Sequence, residues 1–300
     1  MGEMNLAKAI ENGGFLITAE CRPPRGTGAA ELRACAAALG NSVNAIYAPE
    51  SEDGVRLCSL AASNHLASAG VEPIMCLLTR DLNRIALQSQ ILGAASMGLK
   101  NLLCLSGRHQ ALTTSGSAKG VYDVDAIQLI SIANAIRKEG KLADGQVIDS
   151  PVELTLGTDT NPFADPMELQ ILTLEKAVMA GADFVMTQPV FNISKFNEWM
   201  SAVRDKEIDK RTCIIASVMP VITSQQAALL TDKYRHLSIP GDLLERLRTA
   251  GDRRSAGVHV ATETAAQLSK IDGVRGIHLM TGDDFELAAS IIATSGISRS

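Results

Sequence analysis

VELTLGTDTNPFADPMELQILTLEKAVMAGADFVMTQPVF, residues 152–191, contains one complete structural repeat. An apolar run of strand length, Val152–Leu156, precedes MELQILTLEKAVMA, where apolar residues recur at spacings of three and four among good helix formers. A second apolar run follows at Phe184–Thr187, and Gly181 stands between helix and strand, where a left-handed cap turns the chain back. Strand, helix and strand in that order predict a parallel βα unit.

The same alternation extends in both directions. Further strand-length runs lie at Phe15–Ala19, Val43–Ala48, Pro73–Leu78, Asn101–Leu105, Cys213–Val218 and Gly276–Met280. Between them AAELRACAAAL, NRIALQSQILGAASMG, VDAIQLISIANAIRK and ITSQQAALLTDKY carry helical spacing, and Gly70, Gly98 and Gly273 repeat the placement of Gly181. With the two runs of the central repeat there are eight strands, which predicts a closed TIM (β/α)8 barrel. No linker or change of composition divides the 300 residues. A single α/β domain over 1–300 is therefore expected, with a helical insertion around 236–255.

Composition narrows the function. The chain is 46% hydrophobic and 20% charged, a balance that favours a packed core over disorder. A formal net charge of −5 without any Lys/Arg run argues against a nucleic-acid partner. No apolar run is long enough to span a bilayer, and MGEMNLAKAIENGG lacks the basic and apolar regions of a secretory signal, so a cytoplasmic protein without membrane contact is expected. The six cysteines are scattered singly at 21, 35, 58, 76, 104 and 213, a pattern that predicts neither a bound metal nor an iron–sulfur cluster in this chain. Cys76 and Cys104 fall in strand-like runs, as buried, inert thiols do.

Barrels of this kind gather functional residues beyond the C-terminal ends of their strands. Those positions hold Glu20, Tyr47, Arg80, Asp81, Asn83, Arg84, Ser106, Gly107, Arg108, His109, Thr158, Asp159, Asn161, Gln188, Thr281 and Asp283. Glu20 ends ITAE and precedes Cys-Arg-Pro-Pro-Arg, so it is either a general acid at the mouth or a salt-bridge partner of Arg22 or Arg25. TRDLNR at 79–84 either grips an anion through its arginines or braces its own loop. His109 is a base or a solvated loop residue. GxGxxG, GxxxxGK[ST], GxSxG and HExxH are all absent, which sets aside the dinucleotide fold, P-loop, serine-hydrolase and zincin readings.

AECRPPRG, RDLNRIALQSQILGAASMGLKNLLCLSGRHQ, VYDVDAIQL, GADFVMTQPVF and the closing GIHLMTG together resemble the catalytic barrel of methylenetetrahydrofolate reductases, in the short bacterial and archaeal form. The resemblance implies a flavin, FAD by family habit with FMN as the other possibility, across the barrel mouth. It implies hydride transfer from that flavin to the methylene carbon of 5,10-methylenetetrahydrofolate, giving 5-methyltetrahydrofolate. It further implies that Glu20 assists ring opening of the folate and that Gln188 contacts the pterin. Tyr47, Ser106, Gly107, Arg108, Tyr122, Asp123, Gly157 and Asn161 then surround the flavin, with Arg108 also at the edge shared with substrate.

The pattern departs from the family at four positions. Arg108 replaces the usual aspartate after Leu-x-Gly, Ile46 a common threonine, Cys76 a frequent histidine and Ala177 a frequent lysine. Electrons are expected from an iron–sulfur partner subunit, otherwise from NADH or NADPH, and a homo-oligomer is compatible with the resemblance. The competing readings are a flavin-bearing electron-relay or structural barrel without folate chemistry, and a flavin-free folate methyltransferase barrel.

Overall fold

Eight strands pair in parallel with their sequence neighbours: β1 (Leu16–Glu20), β2 (Ala45–Ala48), β3 (Pro73–Leu78), β4 (Asn101–Leu105), β5 (Thr155–Thr160), β6 (Phe184–Pro189), β7 (Cys213–Val218) and β8 (Val274–Leu279). β8 returns to β1 with Thr18 opposite His278, and the sheet closes into the expected barrel. This computed structural model describes residues 6–51, 53–114, 116–223, 226 and 237–299. The expected helix ITSQQAALLTDKY falls mostly outside the described residues, as do the first five residues and His236.

Helices α1 (Leu6–Glu11), α2 (Ala30–Leu39), α3 (Ser59–Ser68), α4 (Arg84–Ser96), α5 (Ala126–Glu139), α6 (Met167–Ala180), α7 (Ile193–Asp205), α8 (Gly241–Thr249), α9 (Arg253–Leu268) and α10 (Phe285–Ser295) surround the barrel, and a 3-10 turn lies at Gln110–Leu112. α8 lies inside the expected insertion around 236–255. Gly70, Gly98, Gly181 and Gly273 all adopt positive φ, as their placement between helix and strand requires.

Alternation along the strands divides the core into two layers. Leu16, Ala45, Ile74, Leu103, Phe184, Met186, Cys213 and Ile215 fill the barrel interior, and Leu6 and Ala9 of α1 pack onto the same cluster. The alternate residues, such as Ile17, Ile46, Val185 and Ile214, pack outward against the helices.

Five strands differ in their bounds from the sequence reading: β1 runs Leu16–Glu20 where Phe15–Ala19 was expected, and β2 begins at Ala45 rather than Val43. β5 begins at Thr155 rather than Val152 and runs on to Thr160, because Asn101 of β4 pairs with Thr155 and Gly157 with Phe184 of β6. The polar half of that strand, Gly157–Thr160, hides it from an apolar count. β6 extends past Thr187 to take in Gln188 and Pro189, and β8 starts two residues earlier than Gly276, at Val274. Asp159 and Gln188 thereby become strand residues: Asp159 is paired with Met186, and Gln188 lies at a register shift between β6 and β7.

Candidate active site

The alternation that buries Leu16 also turns Thr18 and Glu20 inward, nearer the C-terminal end of β1. By the same parity Tyr47 (β2), Asp159 (β5), Ser217 (β7) and His278 (β8) face the interior near the strand ends, and Gln188, at a register shift in β6, joins them through its hydrogen bond to Asp159. These residues form a polar arc running from β5 around to β2. The rest of the ring, Cys76 and Leu78 of β3 and Leu105 of β4, is apolar. The mouth therefore has a hydrogen-bonding side and a greasy side, separated by strand position alone.

Glu20 is 8% exposed, and burial raises its proton affinity above that of an ordinary carboxylate. Asp283 acts in the same direction, while Arg22 and Arg56 oppose it. The salt-bridge alternative is present in the structure, since Arg22 Nε stands 3.8 Å from Glu20 Oε1. Tyr47 shares a hydrogen bond with Cys76, and desolvation holds its phenol protonated far above the usual range. The Cys76 thiol is itself pushed up to about 12 by burial. His278 packs edge-on to the Tyr47 ring at 5.8 Å, and its Nδ1 lies 2.9 Å from the Thr18 hydroxyl. Burial depresses His278 to about 4, so the imidazole is neutral. Around Glu20, then, the β2 and β8 contributions to the floor carry no charge.

Gln188 Nε2 donates to Asp159 Oδ2 at 3.1 Å. A carboxylate can only accept, so this contact decides which way the amide faces. That leaves the amide oxygen and the second N–H outside this pair.

The residues expected around a flavin are distributed unevenly. Ser106, Gly107 and Arg108 leave β4 half-buried, and the Arg108 carbonyl accepts from Tyr122 Oη at 3.1 Å. Gly107 has φ +76°, and a Cβ there would meet Leu78 Cδ2 at 2.9 Å, so the loop hugs the apolar side of the mouth. Ser106 Oγ accepts from Ala126 N, tying this loop to the start of α5. Asp123 grips Arg84 through Nε at 2.8 Å and Nη2 at 2.7 Å, which holds its carboxyl down at about 2. Asn161 folds back to accept from Phe163 N. Gly157 lies below the rim, where a Cβ would fall 2.2 Å from Phe184 Cζ. Its lack of a side chain makes room for that ring inside the barrel.

Of the sequence alternatives, Arg80 proves to be a brace: it is 3% exposed and forked onto Asp81 at 2.8 and 2.7 Å. His109 Nδ1 accepts from Ala111 N and caps the 3-10 turn. Ile46 and Ala177 both pack in the outer layer, away from the mouth.

The strand ends set an apolar side, Cys76, Leu78 and Leu105, against the polar arc, a lining compatible in chemistry with a flat ring that carries a hydrogen-bonding edge. Among the buried side-chain atoms without a hydrogen-bond partner, Thr79 Oγ1, Ser217 Oγ and Thr281 Oγ1 all sit at or just past the C-terminal ends of β3, β7 and β8. Five further atoms of this kind, on Ser63, Asn101, Trp199, Asp209 and Thr212, lie away from this face, so unmade hydrogen bonds are not confined to the mouth. Among the described residues no group of three or more His, Cys, Asp or Glu is placed to hold a metal, and no helix is long and apolar enough to cross a membrane.

Sequence reasoning named Asp159 as a mouth residue without assigning it, and passed over His278, Ser217 and Thr18. Their inward direction follows from strand register. A polar residue at even spacing inside an apolar strand is the local signal that could have marked them.

A family model described as methylenetetrahydrofolate reductase matches residues 5–296. The 5,10-methylenetetrahydrofolate reductase of Escherichia coli K12 is 24% identical over 156 residues, covering 51% of this chain and 51% of that enzyme. Methylenetetrahydrofolate reductase 2 of Saccharomyces cerevisiae is 29% identical over 38% of the chain and 19% of its own length. The aligned region thus spans about half of the bacterial relative. Among solved structures, an uncharacterized protein from Clostridium thermocellum that binds two copies of 5-methyl-5,6,7,8-tetrahydrofolic acid superposes with a TM-score of 0.71 at 14% identity, covering 96% of this chain and 98% of that one.

Proposed function

The chain belongs to the methylenetetrahydrofolate reductase family, and from that premise we propose that it reduces 5,10-methylenetetrahydrofolate to 5-methyltetrahydrofolate with a bound flavin. The observation that carries this reading is Glu20, an inward-facing carboxyl at the barrel mouth, 8% exposed and with raised proton affinity. A carboxyl of that kind can hand a proton to the imidazolidine nitrogen and open the folate ring to the reactive iminium. Gln188, oriented by Asp159, offers one acceptor and one donor to the pterin edge. Neutral Tyr47 and His278 keep the β2 and β8 sides of the floor uncharged, so neither adds a cation that would draw the proton off Glu20.

The flavin, FAD or FMN, would lie on the apolar side against Ser106, Gly107, Arg108 and Tyr122, and it supplies the hydride chemistry when bound. Asp123, Asn161 and Gly157, which have structural partners already, would act there through the loops and strand they shape. Electrons are proposed to enter from an iron–sulfur partner subunit in preference to NADH or NADPH, a reading supported by the cation at Arg108 in the strand-four loop.

The test is anaerobic spectroscopy of the purified chain. Flavin absorbance that bleaches with 5-methyltetrahydrofolate and returns with the methylene form is the expected result. A protein that binds folate but takes up no flavin would be a methyltransferase barrel, and one whose flavin ignores both folates would be an electron relay. Rapid bleaching of the flavin by either nicotinamide nucleotide would overturn the partner-subunit assignment.

A further inference from the structure

Arg22 is the second residue after β1, and its 41% exposed guanidinium stands between two carboxylates. Nε is 3.8 Å from Glu20 Oε1, and Nη1 is 3.7 Å from Asp53 Oδ2. Both separations exceed hydrogen-bond length, so the cation is shared without being locked to either oxygen. Asp53, in contrast, is anchored. Arg56 forks onto it at 3.1 and 3.2 Å, the Ser51 hydroxyl donates at 2.6 Å, and Arg25 Nη2 approaches to 3.3 Å. Arg56 also donates to the Pro23 carbonyl at 2.9 Å, which stitches the loop after β2 to the loop after β1.

We propose that Arg22 is a positioning residue for Glu20, its cation divided between Glu20 and the anchored Asp53, and that this division determines how firmly the Glu20 carboxyl keeps its proton. The inference rests on Glu20 being the general acid of the proposed reaction. A cation close to a carboxyl favours the ionised form, and the effect grows as the pair closes. A general acid needs the opposite. An arginine divided between two carboxylates lowers the proton affinity of Glu20 by part of what a closed pair would, and leaves the acid usable.

The other groups that face Glu20 are Asp283 from the loop after β8, Arg56 from the loop after β2, Tyr47 on β2, and Cys21 next in the chain. His278 on the neighbouring β8 is neutral. Among the described residues only Arg22 bridges Glu20 to a second, anchored carboxylate.

Two substitutions should move Glu20 in opposite directions. Arg22→Gln removes the cation, so Glu20 keeps its proton to higher pH. Asp53→Asn removes the competing charge, lets Arg22 close on Glu20, and makes Glu20 release its proton at lower pH. Arg22→Lys, with charge but shorter reach, should fall between Arg22→Gln and the parent. The measurement is a pH titration of the Glu20 carboxyl band by difference infrared spectroscopy on the full chain, with the band assigned by its loss in Glu20→Gln and folding verified by thermal melts. In parallel, the alkaline limb of kcat/KM for folate reduction should move with the band. Opposite displacements support the proposal. Bands in Arg22→Gln and Asp53→Asn that superimpose on the parent, or move the same way, would overturn it. Opposite displacements with no folate turnover in any protein would instead sink the general-acid reading and leave the coupling between Arg22 and Glu20 standing.

Discussion

Glu20 carries a conflict between stability and chemistry. Its folded proton affinity is raised, so the charged form is disfavoured by folding: stability is fully present below the ordinary carboxylate range and is lost as pH rises through the folded value. Glu20→Gln should therefore melt higher than the parent at neutral pH while folate turnover falls by about 10²–10⁴-fold. A variant that keeps its turnover would remove Glu20 from the mechanism. For Gln188, truncation to Ala leaves Asp159 and the pterin edge unpaired, at a cost on the order of 1–3 kcal/mol, so folate affinity should drop by roughly one to two decades with the flavin spectrum unchanged. Equal affinity by titration would place the pterin elsewhere. Both residues were legible in the sequence because each follows directly on an apolar run. Asp159 was not assigned, since TLGTDT has no apolar run reaching it.

Elements hold these residues at the mouth, and their ends can be tested one by one. α5 begins with a capping box: Asp125 Oδ1 accepts from Gln128 N at 2.7 Å, and Gln128 Oε1 accepts from Asp125 N at 2.9 Å. Asp125→Ala should cost about 1 kcal/mol in urea unfolding. Because Ser106 Oγ accepts from Ala126 N in the same turn, the variant should also weaken flavin retention, and a pure stability loss would detach α5 from the cofactor loop. On β5, Gly157→Ala drives a methyl into the Phe184 ring, whose nearest atom lies 2.2 Å from the new Cβ. Overpacking of that kind costs typically about 1–3 kcal/mol. The expected result is a lower melting temperature with flavin still bound; loss of flavin at unchanged stability would return Gly157 to the cofactor site.

At the scale of the whole molecule, closing β8 onto β1 buries His278 beside Thr18 and makes global stability depend on pH. The imidazole takes its proton only near pH 4 when folded, against an ordinary 6.5, so between those values the unfolded chain binds more protons. Stability should fall as pH drops through that window, by on the order of 3 kcal/mol, and His278→Gln should flatten the melting temperature there. A parallel slope in both proteins would assign the acid sensitivity to other groups. What the sequence alone determined was the count and order of βα units, the glycine turns between them and the barrel they imply, because hydrophobic period and left-handed caps are properties of short stretches. It also marked Glu20 and Gln188, which end or follow apolar runs. Only tertiary structure decided that Arg80 braces its loop, that Gly157 yields space to Phe184, and that Asp159, Ser217 and His278 turn into the same mouth. Those outcomes depend on strand register and closure, which set residues up to 260 positions apart side by side: a polar residue spaced inside an apolar strand shows in the sequence, but the partner it meets does not.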